Sequence, residues 1–234
     1  MAKLKSIIGI CHECGNNIEH NYIERCEVSF FNKHVKKEIL AKKENYFVAT
    51  CSKCGTEVVM GYSFRFVDPN QKYGILLVRN GDPLENRIIN SARSNDVKNG
   101  YQTRFVADGT ELAEKIQIFD AGMDDRTIEM CKILLWDDLC EQDPQYGEFA
   151  LRSCNYFRHP KDGSAYSDAH LMCYAYDAGE ERDTVILQLD ESYYQNIAEH
   201  LRPDFSAHPL GKFEEINKNW AYKIVDYRKN RLNL

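Results

Sequence analysis

Hydrophobic residues recur along this chain in two periods, and the switches between them mark out most of its elements. Leu4 to Ile10 and Tyr46 to Thr50 are β-rich runs that each deliver a cysteine at the end of an expected strand. Tyr22 to Phe31 alternates and reads as a further strand, while Val35, Ile39 and Leu40 mark one face of a short helix over residues 32–43. Val58 to Val67 and Tyr73 to Val78 flank Asp68-Pro69-Asn70 and predict a hairpin, because proline presets the turn and Asp and Asn close it with their own side chains. Periodicity then lapses from Asn80 to Gln102, a stretch punctuated by Gly81, Asp82-Pro83, Ser91, Ser94, Asn95, Asn99 and Gly100. A loop is expected there.

The helical period returns with Leu112, Ala113, Ile116 and Phe119, capped by Thr110 and ended by Gly122 in the left-handed conformation. Asp124 caps a second helix whose Ile128, Cys131, Leu135 and Leu139 form a stripe, so the pair predicts an αα-hairpin. Asp124-Asp125-Arg126 reads as a cap with a dipole complement, not as a catalytic carboxylate pair. Phe149 to Cys154, His170 to Asp177 and Thr184 to Leu189 alternate with period two and predict a β-meander. Asp190 caps a helix that buries Tyr194, Ile197 and Leu201 and that Pro203 stops. A last helical stripe runs through Phe213, Ile216, Trp220, Ile224 and Tyr227. It is expected to pack on the meander through Leu171, Cys173, Val185, Leu187 and Leu189, with a homodimer seam as the alternative.

The fold class is therefore α+β: a ribbon-like β module with an inserted strand and helix, a helical hairpin, and a C-terminal meander with helices. The expected segments are residues 1–82, a loop over 83–104, the hairpin over 105–142 and the meander with helices over 143–234. A chain of 234 residues buries a core without disulfides. Its nine cysteines are an odd number, and Cys26, Cys131, Cys140, Cys154 and Cys173 read as reduced thiols of a cytoplasmic protein. Met1-Ala2-Lys3-Leu4-Lys5 has no long apolar core, so neither a leader nor a membrane partner is expected.

A net charge of −6 and an isoelectric point near 5.7 give no general attraction for a polyphosphate. Lys33, Lys36, Lys37, Lys42 and Lys43 are a local exception, read as a solvated helix face. A protein partner is thus expected ahead of nucleic acid.

The chemistry of the chain lies in its cysteines. Cys11-His12-Glu13-Cys14-Gly15 and Cys51-Ser52-Lys53-Cys54-Gly55 are two CxxCG pairs, in which thiolates two residues apart chelate one ion from a tight turn. A redox dithiol is normally single and sits beside a βαβ pattern, so two copies point to a metal site of Cys11, Cys14, Cys51 and Cys54. Four thiolates suit structural Zn2+ and are also compatible with iron. The insert between the pairs, residues 15–50, is longer than the roughly 15–20 residues of a compact ribbon.

Signatures for zinc-dependent proteolysis, nucleotide binding and serine hydrolysis are missing, and Cys11-His12-Glu13-Cys14 lacks the deaminase spacing. The rival to a non-enzymatic interaction protein is an enzyme built on His159, Asp162, Asp168, His170 and Cys173. His12 is expected to face solvent rather than to ligate.

The order of these pieces resembles the CpXC domain family, a bacterial and archaeal group. The resemblance is carried by the two CxxCG pairs, by Tyr46-Phe47-Val48-Ala49-Thr50 leading into the second, by Gly61-Tyr62-Ser63-Phe64-Arg65-Phe66-Val67-Asp68, and by Tyr73-Gly74-Ile75-Leu76-Leu77-Val78. Its most distinctive run is Glu114-Lys115-Ile116-Gln117-Ile118-Phe119-Asp120-Ala121-Gly122-Met123-Asp124-Asp125-Arg126. The likeness covers residues 9–140, although His12 and Ser52 stand where the family has proline. It implies a metal-bearing α+β protein and names no reaction.

Overall fold

A computed structural model of the chain describes residues 4–79, 85–96, 98–144, 146, 150–158, 169–176, 183–207 and 213–232. The fold is α+β. It divides into two compact units, Met1–Ile116 with Gly211–Glu215, and Gln117–Leu210 with Ile216–Leu234.

In the first unit, β1 (Leu4–Ile10) and β2 (Asn17–Ile23) form an antiparallel ribbon. The strand expected over residues 22–31 is instead two strands. The chain breaks at Glu24, so that β2 pairs with β1 while β3 (Arg25–Glu27) joins a different sheet. Polar Asn17, Glu19 and Asn21 hid the start of β2, whose inward positions are Ile18 and Tyr22. Helix α1 (Lys33–Lys42) follows as expected and buries Val35 and Ile39. A 3-10 turn, Lys43–Phe47, leads into β4 (Val48–Thr50), which pairs with β5 (Glu57–Val59).

The expected hairpin is present as β6 (Phe64–Asp68) and β7 (Tyr73–Leu77), although its first strand is shorter than expected because Val58 and Val59 belong to β5, and every residue of both strands is buried. They are the inner strands of a four-stranded sheet in the order β3, β6, β7, β8, with β8 spanning Gln102–Val106. Because β7 and β8 are parallel neighbours, a crossover has to join them, and crossovers of this kind are usually helical. That requirement corrects the expected loop over residues 80–102: Glu85–Asn95 is helix α2. Ile89 and Ala92 face the sheet beside Leu76, and Asp96 just after the helix pairs with Arg65 in a buried, bidentate contact.

Helix α3 (Gly109–Asp120) is capped by Asp108 rather than by Thr110: the Glu111 amide donates to the Asp108 carboxylate at 2.8 Å, and the Glu111 side chain returns to the Ala107 amide at 2.7 Å. Gly109 opens the helix at a close approach, since a Cβ there would meet Phe47 at 2.7 Å.

In the second unit, Gly122 has φ +69 and ends the α3 segment, with the Met123 amide donating to the Ile118 carbonyl at 3.1 Å. Asp124 caps α4 (Asp125–Gln142) as expected, accepting from the Arg126 amide at 2.9 Å. α4 is buried on more than one side. Thr127, Glu129, Met130, Lys132, Ile133 and Trp136 join Ile128 and Cys131 inside, whereas Leu135 and Leu139 are only half-buried. The Lys132 ammonium neutralises Glu129 at 2.9 Å, which makes a polar turn of the helix tolerable in the interior.

β9 (Ala150–Arg158), β10 (Ala169–Tyr176) and β11 (Asp183–Gln188) form the expected antiparallel meander in the order β11, β10, β9. Helix α5 (Glu191–Ala207) buries Tyr194 and Leu201 but runs through Pro203, because Asp204 and Phe205 beyond it are buried. Helix α6 (Lys218–Leu232) packs through Ala221 and Ile224 against Met130 and Ile133 of α4 and Leu201 and Phe205 of α5. Among the described residues its platform is α4 and α5 rather than the expected meander. Phe213 stands outside the helix and packs in the first unit against Phe105. Among the described residues no helix is long and apolar enough to cross a membrane.

Candidate metal centre

Each CxxCG pair folds into the same turn. The Cys11 amide donates to the Asn16 carbonyl and the Gly15 amide to the Cys11 carbonyl, both at 2.9 Å. At the second pair, Cys51 with Thr56 and Gly55 with Cys51 repeat these bonds at the same 2.9 Å. Gly15 and Gly55 have φ of +68 and +78, and a Cβ at either would meet nothing within 4 Å. The glycines are thus required by backbone conformation and not by crowding.

β1 delivers Cys11 and β4 delivers Cys51, and the two turns face each other. Cys11 Sγ lies 3.5 Å from Cys54 Sγ, and Cys14 Sγ lies 3.6 Å from Cys51 Sγ. All four sulfurs fall within 4.8 Å of one another. A tetrahedral ion with bonds of about 2.3 Å spaces its thiolates by about 3.8 Å, so the four fit one such ion. Among the described residues this is the only cluster of its kind. Cys11 and Cys51 are buried with Ile18, while Cys54 is exposed, which leaves the cluster open to solvent on one side.

Polar neighbours favour charge on the sulfurs. Backbone amides of Lys53 and Cys54 pull the Cys51 thiol down to about 6. Cys54 is lowered by the Thr56 hydroxyl, 3.2 Å from its sulfur, and by the Thr56 amide. Although the Asn16 amide pulls the other way, burial and the three neighbouring thiols push Cys14 up to about 12. Thiolates this close repel, and a central divalent cation would allow all four to ionise. Asn16, whose Nδ2 lies 3.8 Å from Cys51 Sγ, and Thr56 are supporting residues that the sequence analysis missed. Their signal is positional, since each directly follows a CxxCG.

The remaining candidates lie elsewhere. His12 is exposed and sits 3.5 Å from the Glu13 carboxylate, away from any ligating position. Cys26 is pushed up to about 11 by burial and by Asp68 and Glu27, and burial pushes Cys131 up to about 12, so both are inert thiols. His159, Asp162 and Asp168 lie outside the described residues, as do the side chains of His170 and Cys173 on β10. Of the basic segment, Lys33, Lys37 and Lys42 are exposed, but Lys36 bends back to Asp68 at 2.8 Å.

A family model described as CpXC protein matches residues 10–132, a span that holds both cysteine turns and ends within α4. No curated protein and no solved structure matches the chain.

Proposed function

The chain belongs to the CpXC family, and from that membership and its four converging sulfurs we propose a non-enzymatic, zinc-stabilised interaction protein of the bacterial cytoplasm. Cys11, Cys14, Cys51 and Cys54 would hold the ion. The observation that carries the reading is the spacing of those sulfurs, which suits a closed tetrahedral set. Four protein thiolates leave no coordination position for water or substrate, so the ion would cross-link two short hairpins and activate nothing. Zinc is preferred to iron because a site without redox duty gains nothing from a redox metal. We place the zinc-ribbon-like module at residues 1–82, with β2, β3 and α1 between its two turns, and its partner is expected to be a protein.

Elemental analysis of the purified chain tests the centre. One zinc per chain is expected, and cobalt substitution should give the thiolate charge-transfer bands of a tetrahedral site. A folded protein without metal, or a Cys11 to Cys14 disulfide under reducing conditions, sinks the reading.

A further inference from the structure

Between β3 and α1 the chain holds Phe30 and Phe31 in water, 81% and 88% exposed. The turn that does so is firmly tied. The Asn32 carboxamide oxygen accepts from the Ser29 amide at 2.7 Å and the Ser29 hydroxyl at 3.1 Å, and its nitrogen donates to the Glu27 carbonyl at 2.6 Å. One polar side chain thus fixes two apolar ones outward, the reverse of what burial favours, and contiguous exposed apolar surface of this kind marks interaction sites.

Phe31 also lines a groove of about 990 Å3 together with Ile23 and Val35. β3, the outer strand of its sheet, runs along the groove through Arg25 and Glu27. An outer strand offers backbone donors and acceptors to an extended chain laid beside it. The unpaired charge beside the groove is carried by lysines, in a chain whose net charge is −6. Lys5, Arg25 and Arg87 line it but are paired with Glu24 and Glu27, which line it too, whereas on the adjoining helix neither Lys33 nor Lys37 pairs with a carboxylate among the described residues. Lys33 Nζ lies instead 5.2 Å from the centre of the Phe30 ring. Stacked bases are the poorer match, because the two phenylalanine rings meet at 88° and present no parallel faces to consecutive nucleotides.

Building on the interaction role proposed above, we infer that this face docks an extended acidic peptide segment of a partner protein. An aromatic or aliphatic anchor of that segment enters the groove against Phe31, Ile23 and Val35. Its backbone lies along β3, and its carboxylates meet Lys33 and Lys37.

Fluorescence anisotropy on the metal-loaded full chain tests this with a fluorescein-labelled octapeptide of alternating glutamate and leucine, beside a counterpart with lysine for glutamate. The acidic peptide should bind with micromolar affinity, at least about tenfold tighter than the basic one, and should weaken as salt rises. Phe31→Ser should abolish binding, as should Lys33→Glu with Lys37→Glu together, while Ile8→Ser on the exposed face of β1 should leave it intact. Equal affinity for the two peptides, no binding of either, indifference to Phe31→Ser, or displacement by a tighter-binding single-stranded oligonucleotide overturns the assignment. The metal reading is scored separately by elemental analysis of the same samples: a zinc-loaded chain that ignores the acidic peptide refutes this surface alone, and a metal-free chain that binds it refutes the zinc centre alone.

Discussion

Cys51→Ser removes one sulfur from the cluster and one of the few buried groups around it. The apolar support there is small: among the described residues Cys11, Ile18 and Cys51 are the buried members, with Cys14, Ala49 and Val58 packed beside them. Burying Ile18 is worth about 1.5–3 kcal/mol, whereas a structural zinc contributes about 10–16 kcal/mol in finger peptides, so packing cannot replace the ion. β4 and β5 are three residues each and have little ladder of their own. The β3, β6, β7, β8 sheet has a different foundation, with Phe64, Phe66, Ile75, Leu76 and Leu77 fully buried. Cys51→Ser should therefore lose metal and melt the two turns locally, around residues 11–16 and 48–59, while the sheet stays folded. Hydrogen exchange read by mass spectrometry distinguishes the regions: amides such as those of Cys11 and Gly55 should lose protection and those of β6 and β7 should keep theirs within about tenfold. Cys140→Ser, a half-buried thiol outside the cluster, is the control and should change neither metal content nor exchange. Turns that stay protected in metal-free Cys51→Ser would show that the cysteines pack rather than ligate.

Asp96→Ala strands the buried Arg65 guanidinium and should cost about 3–5 kcal/mol in urea unfolding; a loss below 1 kcal/mol would mean water reaches the pair. Gly109→Ala places a methyl 2.7 Å from Phe47 Cδ2 and 2.8 Å from the Lys43 carbonyl oxygen, and should destabilise by about 1–3 kcal/mol through overpacking, although alanine is the better helix former; a gain in melting temperature refutes the contact. Burial lowers the His20 pKa below its ordinary 6.5, so the unfolded chain binds the proton more readily. The stability this contributes is present above pH 6.5 and lost as pH falls, and His20→Gln should flatten the decline between pH 7.5 and 5; parallel profiles would remove His20 from the account. Trp220→Ala, half-buried against Phe205, should destabilise a monomer by about 3 kcal/mol, and a sedimenting dimer that this change splits into folded chains would show α6 to be a seam between copies.

What the sequence determined by itself was local. CxxCG with glycine at positive φ, Asp124 at a helix start, Gly122 at a helix end and the alternation of the meander are short-range signals that act through their own backbone, and all four stand in the structure. The sulfurs could be named because each pair shapes its own turn. Pairing between distant segments was not written in that way. α2 exists because parallel β7 and β8 demand a crossover, which no count of Ser and Asn between residues 80 and 102 reveals. β2 and β3 separate at Glu24 because they serve different sheets, and Pro203 is carried through α5 because burial of Phe205 outweighs a lost hydrogen bond. The same limit hid the phenylalanine turn: Phe30 continues the alternation of Cys26 and Val28 like a strand residue, and only the end of β3 at Glu27 and the Asn32 clamp turn it and Phe31 outward. Periodicity reports which residues seek burial, and tertiary structure alone decides which of them find it.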